Sequence, residues 1–347
     1  MIVFSCFERP ATLTKQIVIG VDGGGTTTRV ALATPQGEVL GIGTAGAGNY
    51  HDVGVEVVRD NIQQALSQAW DVAGEPRRQA DAVFLGLGSV ASEEDRNTIR
   101  QVAEDLSLTR SGKIGVDHDL RVALAGGLVG KPGIILIAGT GASCFGQVEN
   151  GRSWRAGGWG PLLDDVGSSR WLGLQSMVAV VRASDGRGKS TLLSAEVLEA
   201  LEIKEVDQIL HRVDSVGLSR REMGKLAKLV TKAAAEGDAI AQEIITAGVE
   251  ELALLIATVA DKLDLPASLG SVPVAVTGGL TKAGGVFLNP LRTAVQHRAP
   301  ACEVITPRLP PIMGAVLLAL QSIGVAPSPE VVSNLVGSQA ICERSIF

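Results

Sequence analysis

An apolar, β-branched run from Ile17 to Val21 ends in Asp22, three glycines and three threonines (Gly23 to Thr28), and a second apolar run, Arg29 to Ala33, follows at once. The first run reads as a strand covered on both faces. The glycines permit a tight turn and leave backbone N–H groups bare. Such a turn can wrap phosphate oxygens. Asp22 stands at the strand's end, where a carboxylate can hold a hydrated Mg²⁺ against those phosphates. The hydroxyls of Thr26 and Thr27 add donors. Because the turn joins two strands, it differs from a P-loop or a dinucleotide fingerprint, whose glycines lead into a helix.

The same grammar returns a hundred residues later. Gly133 to Ala138 reads as a strand, Gly139-Thr140-Gly141-Ala142-Ser143 as a second phosphate-type loop, and Cys144 to Glu149 as the next strand. Asn150-Gly151 then predicts a type I′ hairpin turn. A third glycine turn, Thr277-Gly278-Gly279-Leu280, follows a strand at Val272 to Val276 and suits an adenosine lying against backbone. Two phosphate loops facing each other across a cleft, in a chain of 347 residues, predict two domains.

Composition narrows the alternatives. Apolar residues make up 46% and charged residues 20%, enough for a large core and against disorder. A net charge of −6 with 3% aromatics leaves neither a basic footprint nor stacking platforms for nucleic acid. No apolar run reaches membrane-spanning length. Cys6, Cys144, Cys302 and Cys342 are scattered, which argues against zinc and disulfides and for a reducing compartment. Residues 1–15 are expected to be a disordered leader, with an organelle transit peptide as the alternative.

Between the loops lie further candidates, each with two readings. Gly41 to Gly46 matches GxGxxG, but a loop follows it instead of a helix, so no dinucleotide site is expected. Asn49 is either a turn residue or an amide that reads a hydroxyl. A helix is predicted from Val53 to Val72, with Val57, Ile62, Ala65, Leu66 and Ala69 on its buried face. Ser89, after the buried strand from Ala82, either contacts a substrate or caps the helix Glu93 to Leu106. Asp119 lies where the strand from Ile114 meets a helix from Leu120, as an N-cap or a catalytic base. Trp159, among glycines, is a core residue or a wall for a sugar face. Asp165 is a cap or an acceptor for sugar hydroxyls. Gly188-Lys189-Ser190-Thr191 follows a helix and lacks the first Walker glycine, so it reads as a surface loop. Leu192 to Leu265 is helical, broken at Gly217, with a capping box at Ser219 and Glu222. Pro311 to Leu320 is a helix whose Gly314 and Ala315 permit a close crossing, and the tail after Val325 reads as irregular.

Taken in order, DGGGT, GTG, GGWG with its two acids, TGG and the closing GA helix resemble the BadF/BadG/BcrA/BcrD ATPase family, and within it N-acetylglucosamine kinases. The resemblance covers Ile17 to Leu320. It implies an actin-like fold of two α/β, ribonuclease H-like domains: residues 16–129 with about 311–330, and 130–310, leaving 331–347 as a tail. It implies ATP and Mg²⁺ as cofactors, with Asp22 holding the metal through water. Gly23, Gly24, Gly25, Thr26 and Thr27 would form the first phosphate site, and Gly139, Thr140 and Gly141 the second. Gly278 and Gly279 would hold adenosine, with Gly224 facing the adenine. Asn49, Ser89, Thr140, Trp159, Gly160 and Asp165 would contact the sugar, and Asp119 would be the base. Asp164 competes with Asp165, which keeps the spacing to Gly167. The implied activity is phosphorylation of the sugar's 6-hydroxyl in amino-sugar salvage, by a cytoplasmic homodimer with no nucleic-acid or membrane partner. Glucosamine is an alternative acceptor. Other implied readings are an iron–sulfur ATPase that activates a partner enzyme, and a sugar-binding protein without turnover.

Overall fold

The computed structural model describes residues 16–338, except the side chains of Arg220 and Arg221. The expected leader and the end of the tail lie outside the described residues, as do Cys6 and Cys342.

The opening apolar runs do pair as a hairpin. Strands β1 (Val18–Gly23) and β2 (Thr28–Ala33) are antiparallel, with Asp22 opposite Arg29. β3 (Val39–Ala45) extends the meander, while β4 (Ala82–Leu87) and β5 (Ile114–Asp117) join on the other side as parallel neighbours. The order is β3-β2-β1-β4-β5. The second half repeats it: β6 (Gly133–Ala138), β7 (Ala142–Gln147), β8 (Ser153–Gly157), β9 (Val272–Thr277) and β10 (Cys302–Ile305) run in the order β10-β9-β6-β7-β8. Here too the central strand pairs antiparallel with its hairpin partner and parallel with β9. Two mixed five-stranded sheets of one topology, covered by helices, make the fold α/β.

Helices α1 (Tyr50–Val53), α2 (Val55–Ala73), α3 (Glu93–Asp105) and α4 (Asp119–Gly127) belong to the first half. The second contributes α5 (Ser169–Ser184), α6 (Leu193–Ala200), α7 (Gln208–His211), α8 (Arg220–Ala235), α9 (Ala239–Lys262), α10 (Leu265–Leu269) and α11 (Gly285–Arg298). The capping box of Ser219 and Glu222 opens α8 as predicted. The chain then returns through α12 (Pro311–Ser322) to the first sheet.

The glycines of the GxGxxG stretch serve packing. A Cβ on Gly41 or Gly43 would stand 2.0 Å from the carbonyl oxygen of Ala69 or 1.9 Å from that of Ala65, so α2 lies directly on β3. Gly314 does the same for the α4–α12 crossing, where a Cβ would meet the Val122 carbonyl oxygen at 1.9 Å.

Three expectations need correction. Val57 is exposed, and Val58, one turn before Ile62, takes its place in the core. Asn150-Gly151 is not a type I′ turn: only Gly151 has positive φ (+86°), and its N–H closes a four-residue turn on the Val148 carbonyl at 3.0 Å. The tail after Val325 is not irregular. Ser328 caps α13 (Pro329–Gly337), which buries Val331, Val332 and Leu335 against the first half's core.

Candidate active site

The first glycine loop is a hub. Gly24 N–H donates to Thr27 O (2.9 Å), closing the turn. Gly23 O accepts from Gly88 N–H and Gly24 O from Gly48 N–H, both at 2.8 Å. The segments carrying Asn49 and Ser89 therefore hang from this loop. Gly25 stays part-buried and Thr26 exposed at the turn's tip.

Two carboxylates share this end of the sheet. Burial pushes Asp22 up to about 7; the Arg29 guanidinium 3.7 Å away opposes this, and the charge of Asp119 adds to it. Its side chain keeps only 13% of its surface accessible. Asp119 is also raised by burial, against the Leu120 N–H bonded to its Oδ1 (2.9 Å) and the positive Arg155. Asp119 is not the N-cap: His118 takes that place, accepting the Arg121 N–H at Nδ1 (3.1 Å) and setting its ring edge-on to Phe145. Burial drives His118 down to about 4, against Asp117 and with the help of Arg155. A Cβ on Gly88 would lie 3.2 Å from Asp119 Oδ2, so the Ser89 segment closes directly over this carboxylate.

Ser89 does not cap α3; Ser92 does. Ser89 is 2% exposed, and its hydroxyl has no hydrogen-bond partner among the described residues. Asn49 caps α1 by accepting the His51 N–H at 3.1 Å.

The second loop is assembled from three segments. Gly139 N–H bonds Gly141 O (3.0 Å), and Gly139 O accepts from Ser169 N–H (2.8 Å) at the start of α5. Gly278, at φ +111°, presses so close that a Cβ would touch the Ala138 carbonyl oxygen at 2.4 Å. Thr140 is exposed between them. Asp165 is buried, left-handed (φ +63°), and accepts the Ala142 N–H at 2.9 Å. It is not the cap of α5, a role Ser168 fills.

Trp159 is no core residue: it is 72% exposed, with the Arg155 guanidinium 5.8 Å from its ring centroid. Its loop folds on itself through Asp164 N–H to Gly160 O (2.8 Å) and Trp159 N–H to Asp164 Oδ2 (3.4 Å). A cavity opens behind the loop, lined among others by Asp164, Asp165, Arg170, Trp171 and Met223; neither Asp22 nor Asp119 lines it. Gly224 lies in α8 with nothing within 4 Å of its would-be Cβ, and no bond ties it to Gly278 or Gly279. Gly188, Lys189 and Ser190 are exposed, as expected of a surface loop, and Thr191 is half-buried with its hydroxyl on Asp238.

Arg29 and Arg155 are charged members of this site that the motifs do not announce. Arg29 follows from hairpin register: it is the residue opposite Asp22. Arg155, on β8, donates to the carbonyls of Gly157 (3.3 Å) and Gly158 (3.1 Å) and carries its charge toward Asp119.

The site fits Mg²⁺. Hard carboxylate oxygen, not nitrogen or sulfur, faces the loop. Among the described residues no three His, Cys, Asp or Glu side chains gather as a self-sufficient cage. Mg²⁺ is commonly held by one or two carboxylates, waters and substrate phosphates.

A duplicated sheet with glycine loops at matching hairpins, and a half-buried carboxylate pair beside one of them, defines the actin-like ATPase class to which sugar kinases belong. The chain is a member of the BadF/BadG/BcrA/BcrD ATPase family, whose model matches residues 19–319. It is 32% identical over 319 residues to an N-acetyl-D-glucosamine kinase of Dictyostelium discoideum, covering 89% of this chain and 99% of that one. It is 29% identical over 302 residues to an N-acetylmuramic acid/N-acetylglucosamine kinase of Clostridium acetobutylicum, covering 87% and 97%. A Chromobacterium violaceum protein solved as a candidate N-acetylglucosamine kinase superposes with a TM-score of 0.71 at 27% identity, over 88% of this chain and 99% of that one. No helix among the described residues is long and apolar enough to cross a membrane.

Proposed function

We propose that this protein transfers the γ-phosphoryl group of ATP to the 6-hydroxyl of N-acetylglucosamine, as a step of amino-sugar salvage. The carrying observation is Asp119, a half-buried carboxylate beside Asp22 and the first glycine loop, with Gly88 closing over it. Asp119 accepts the acceptor hydroxyl's proton, and burial favours that transfer by raising its basicity. The N–H groups of Gly23 to Thr27 and of Gly139 to Gly141 cradle the phosphates, and Gly278 and Gly279 give backbone room to adenosine, with Gly224 in front of the base. Asn49, Ser89, Thr140, Trp159, Gly160 and Asp165 contact the sugar. Asp22 holds Mg²⁺ through water; the ion, when bound, neutralises charge on the transferring group. Catalysis of this kind is mainly positioning and electrostatics.

The relatives' names support the acceptor class, and N-acetylmuramate is the second candidate because one relative carries it in its name. The iron–sulfur activator reading is disfavoured: Cys144 and Cys302 are both buried, and burial pushes their thiols up, Cys302 to about 11. Cluster ligation needs thiolates.

The test is ADP release with Mg-ATP across hexoses, hexosamines and N-acetylhexosamines, with the product's phosphate position read by NMR. Release that requires N-acetylglucosamine and yields the 6-phosphate is expected. Slow hydrolysis indifferent to every sugar would sink the kinase reading.

A further inference from the structure

Three side chains beside the candidate site take no part in the chemistry above. Tyr50 and His51 follow Asn49, and Asp95 lies in the first turn of α3. Asp95 is buried, and all its bonds are accounted for. Its Oδ2 accepts the N–H groups of Ala91 and Ser92, each at 2.8 Å, and its own N–H returns to Ser92 Oγ at 3.1 Å. Its Oδ1 accepts the Tyr50 hydroxyl and lies 3.2 Å from His51 Nε2. His51 Nε2 is also 3.1 Å from the Ser89 carbonyl oxygen. Facing two acceptors, Nε2 carries the ring proton.

These bonds fasten two loops to one carboxylate: residues 47–54, with Asn49, and residues 88–92, with Ser89. The same loops are fastened at their other ends to the carbonyls of Gly24 and Gly23. Each candidate sugar contact thus lies between two anchors. What remains free points to a ligand. Asn49 spends its Oδ1 on the cap and keeps its amide donors. The Ser89 hydroxyl is buried without a partner, a costly state that a ligand hydroxyl would relieve.

We infer that Asp95, acting through Tyr50 and His51, positions Asn49 and Ser89 as one rigid acceptor-facing unit. The inference rests on the kinase reading for the identity of the acceptor. The electrostatics agree. Burial alone would raise Asp95, yet the Tyr50, Ala91 and Ser92 bonds hold it well below the usual carboxylate range, while partial burial and Asp95 push Tyr50 up to about 12. Both partners stay in their bonded ionisation states at neutral pH.

Because Asp95 also closes the cap of α3, Asp95→Asn risks the fold, and Tyr50→Phe is the cleaner variant. It deletes one hydrogen bond to a charged group and no volume. The expected result in the full-length chain is a KM for the amino sugar raised about tenfold, as for loss of one such bond. The KM for ATP should stay unchanged and kcat should change less. Amide exchange should quicken across 47–54 and 88–92 and stay as it was across 133–147. An unmoved sugar KM with unmoved exchange overturns the clamp, and so does an equal rise in both KM values with faster exchange in both sheets. Should the unaltered chain turn over no amino sugar, the kinase reading fails, and the acceptor role of the clamp with it. A working kinase whose Tyr50→Phe variant binds sugar normally fails the clamp alone.

Discussion

The two glycine loops are copies of one hairpin, put to different electrical use. In the first, four residues separate the last strand pair, Gly23 and Thr28; in the second, three separate Ala138 and Ala142. The next pair inward is Asp22 opposite Arg29 in one and Ile137 opposite Ser143 in the other. The first loop thus carries its own carboxylate, held near neutrality by burial. The second borrows Asp165 from beyond β8 and spends it on the Ala142 N–H. Both halves carry a glycine loop at the matching hairpin, but only the first pairs its loop with a chargeable acid on the same strand. On the proposed mechanism the chemistry concentrates on that side.

The comparison breaks most decisively at Asp119. Asp119→Asn should lower kcat by about 10²–10⁴-fold, the range for a general base, with the KM for ATP little changed. Normal turnover would move the chemistry away from the first half. A smaller effect separates the two glycines that close over the loops. Gly278→Ala meets a carbonyl oxygen at 2.4 Å and needs φ +111°, so denaturant unfolding should show a loss of about 1–3 kcal/mol. Gly88→Ala comes no nearer to any atom than 3.2 Å, at Asp119 Oδ2, and should lower kcat with little loss of stability. At Asp165, Asn can keep both the left-handed backbone and the acceptor for Ala142. Asp165→Asn should hold its melting temperature while Asp165→Ala loses about 1–3 kcal/mol, the cost of an unsatisfied buried N–H. Equal melting in the two variants would deny the brace.

The mildest effect is in pH. Asp22 has a folded pKa above its unfolded value, so the native state binds the extra proton between about 4 and 7. Its contribution to stability is present at low pH and is lost as pH rises through about 7. If Asp22 holds Mg²⁺ as proposed, the ion competes with that proton and should raise the melting temperature more at pH 8 than at pH 5.5. In Asp22→Asn the difference between the two pH values should shrink. A Mg²⁺ response that is flat with pH would remove Asp22 from the metal site.

What was legible in the sequence was mostly local. The glycine loops, the strand order within each hairpin and the Ser219 cap are written in neighbouring residues. Arg29 was recoverable, since a tight hairpin centred after Gly25 places it opposite Asp22. Arg155 was not, because its approach to Asp119 depends on how two sheets meet. On the buried face of α2, Ile62, Ala65, Leu66 and Ala69 were readable from periodicity, and only its first position was misplaced, at Val57 instead of Val58, since adjacent valines give periodicity no reason to choose. The final helix was hidden by its prolines, although Ser328 followed by Pro329 is a start signal as much as a break. Of the two readings of Trp159 only the core one fails, since the ring stands open beside Arg155.

The α4–α12 crossing bears on the order in which the chain can mature. Gly20 of β1 lies so close to α12 that a Cβ would touch the Val316 nitrogen at 2.7 Å, and Val18 and Ala31 share one core cluster with residues of α12 and α13. On a ribosome delivering the N-terminus first, the opening sheet must wait with one apolar face uncovered until almost the whole chain has emerged. The first half is thus the earliest made and among the last completed, and the second half, whose strands are contiguous with their own helices, can fold while it waits.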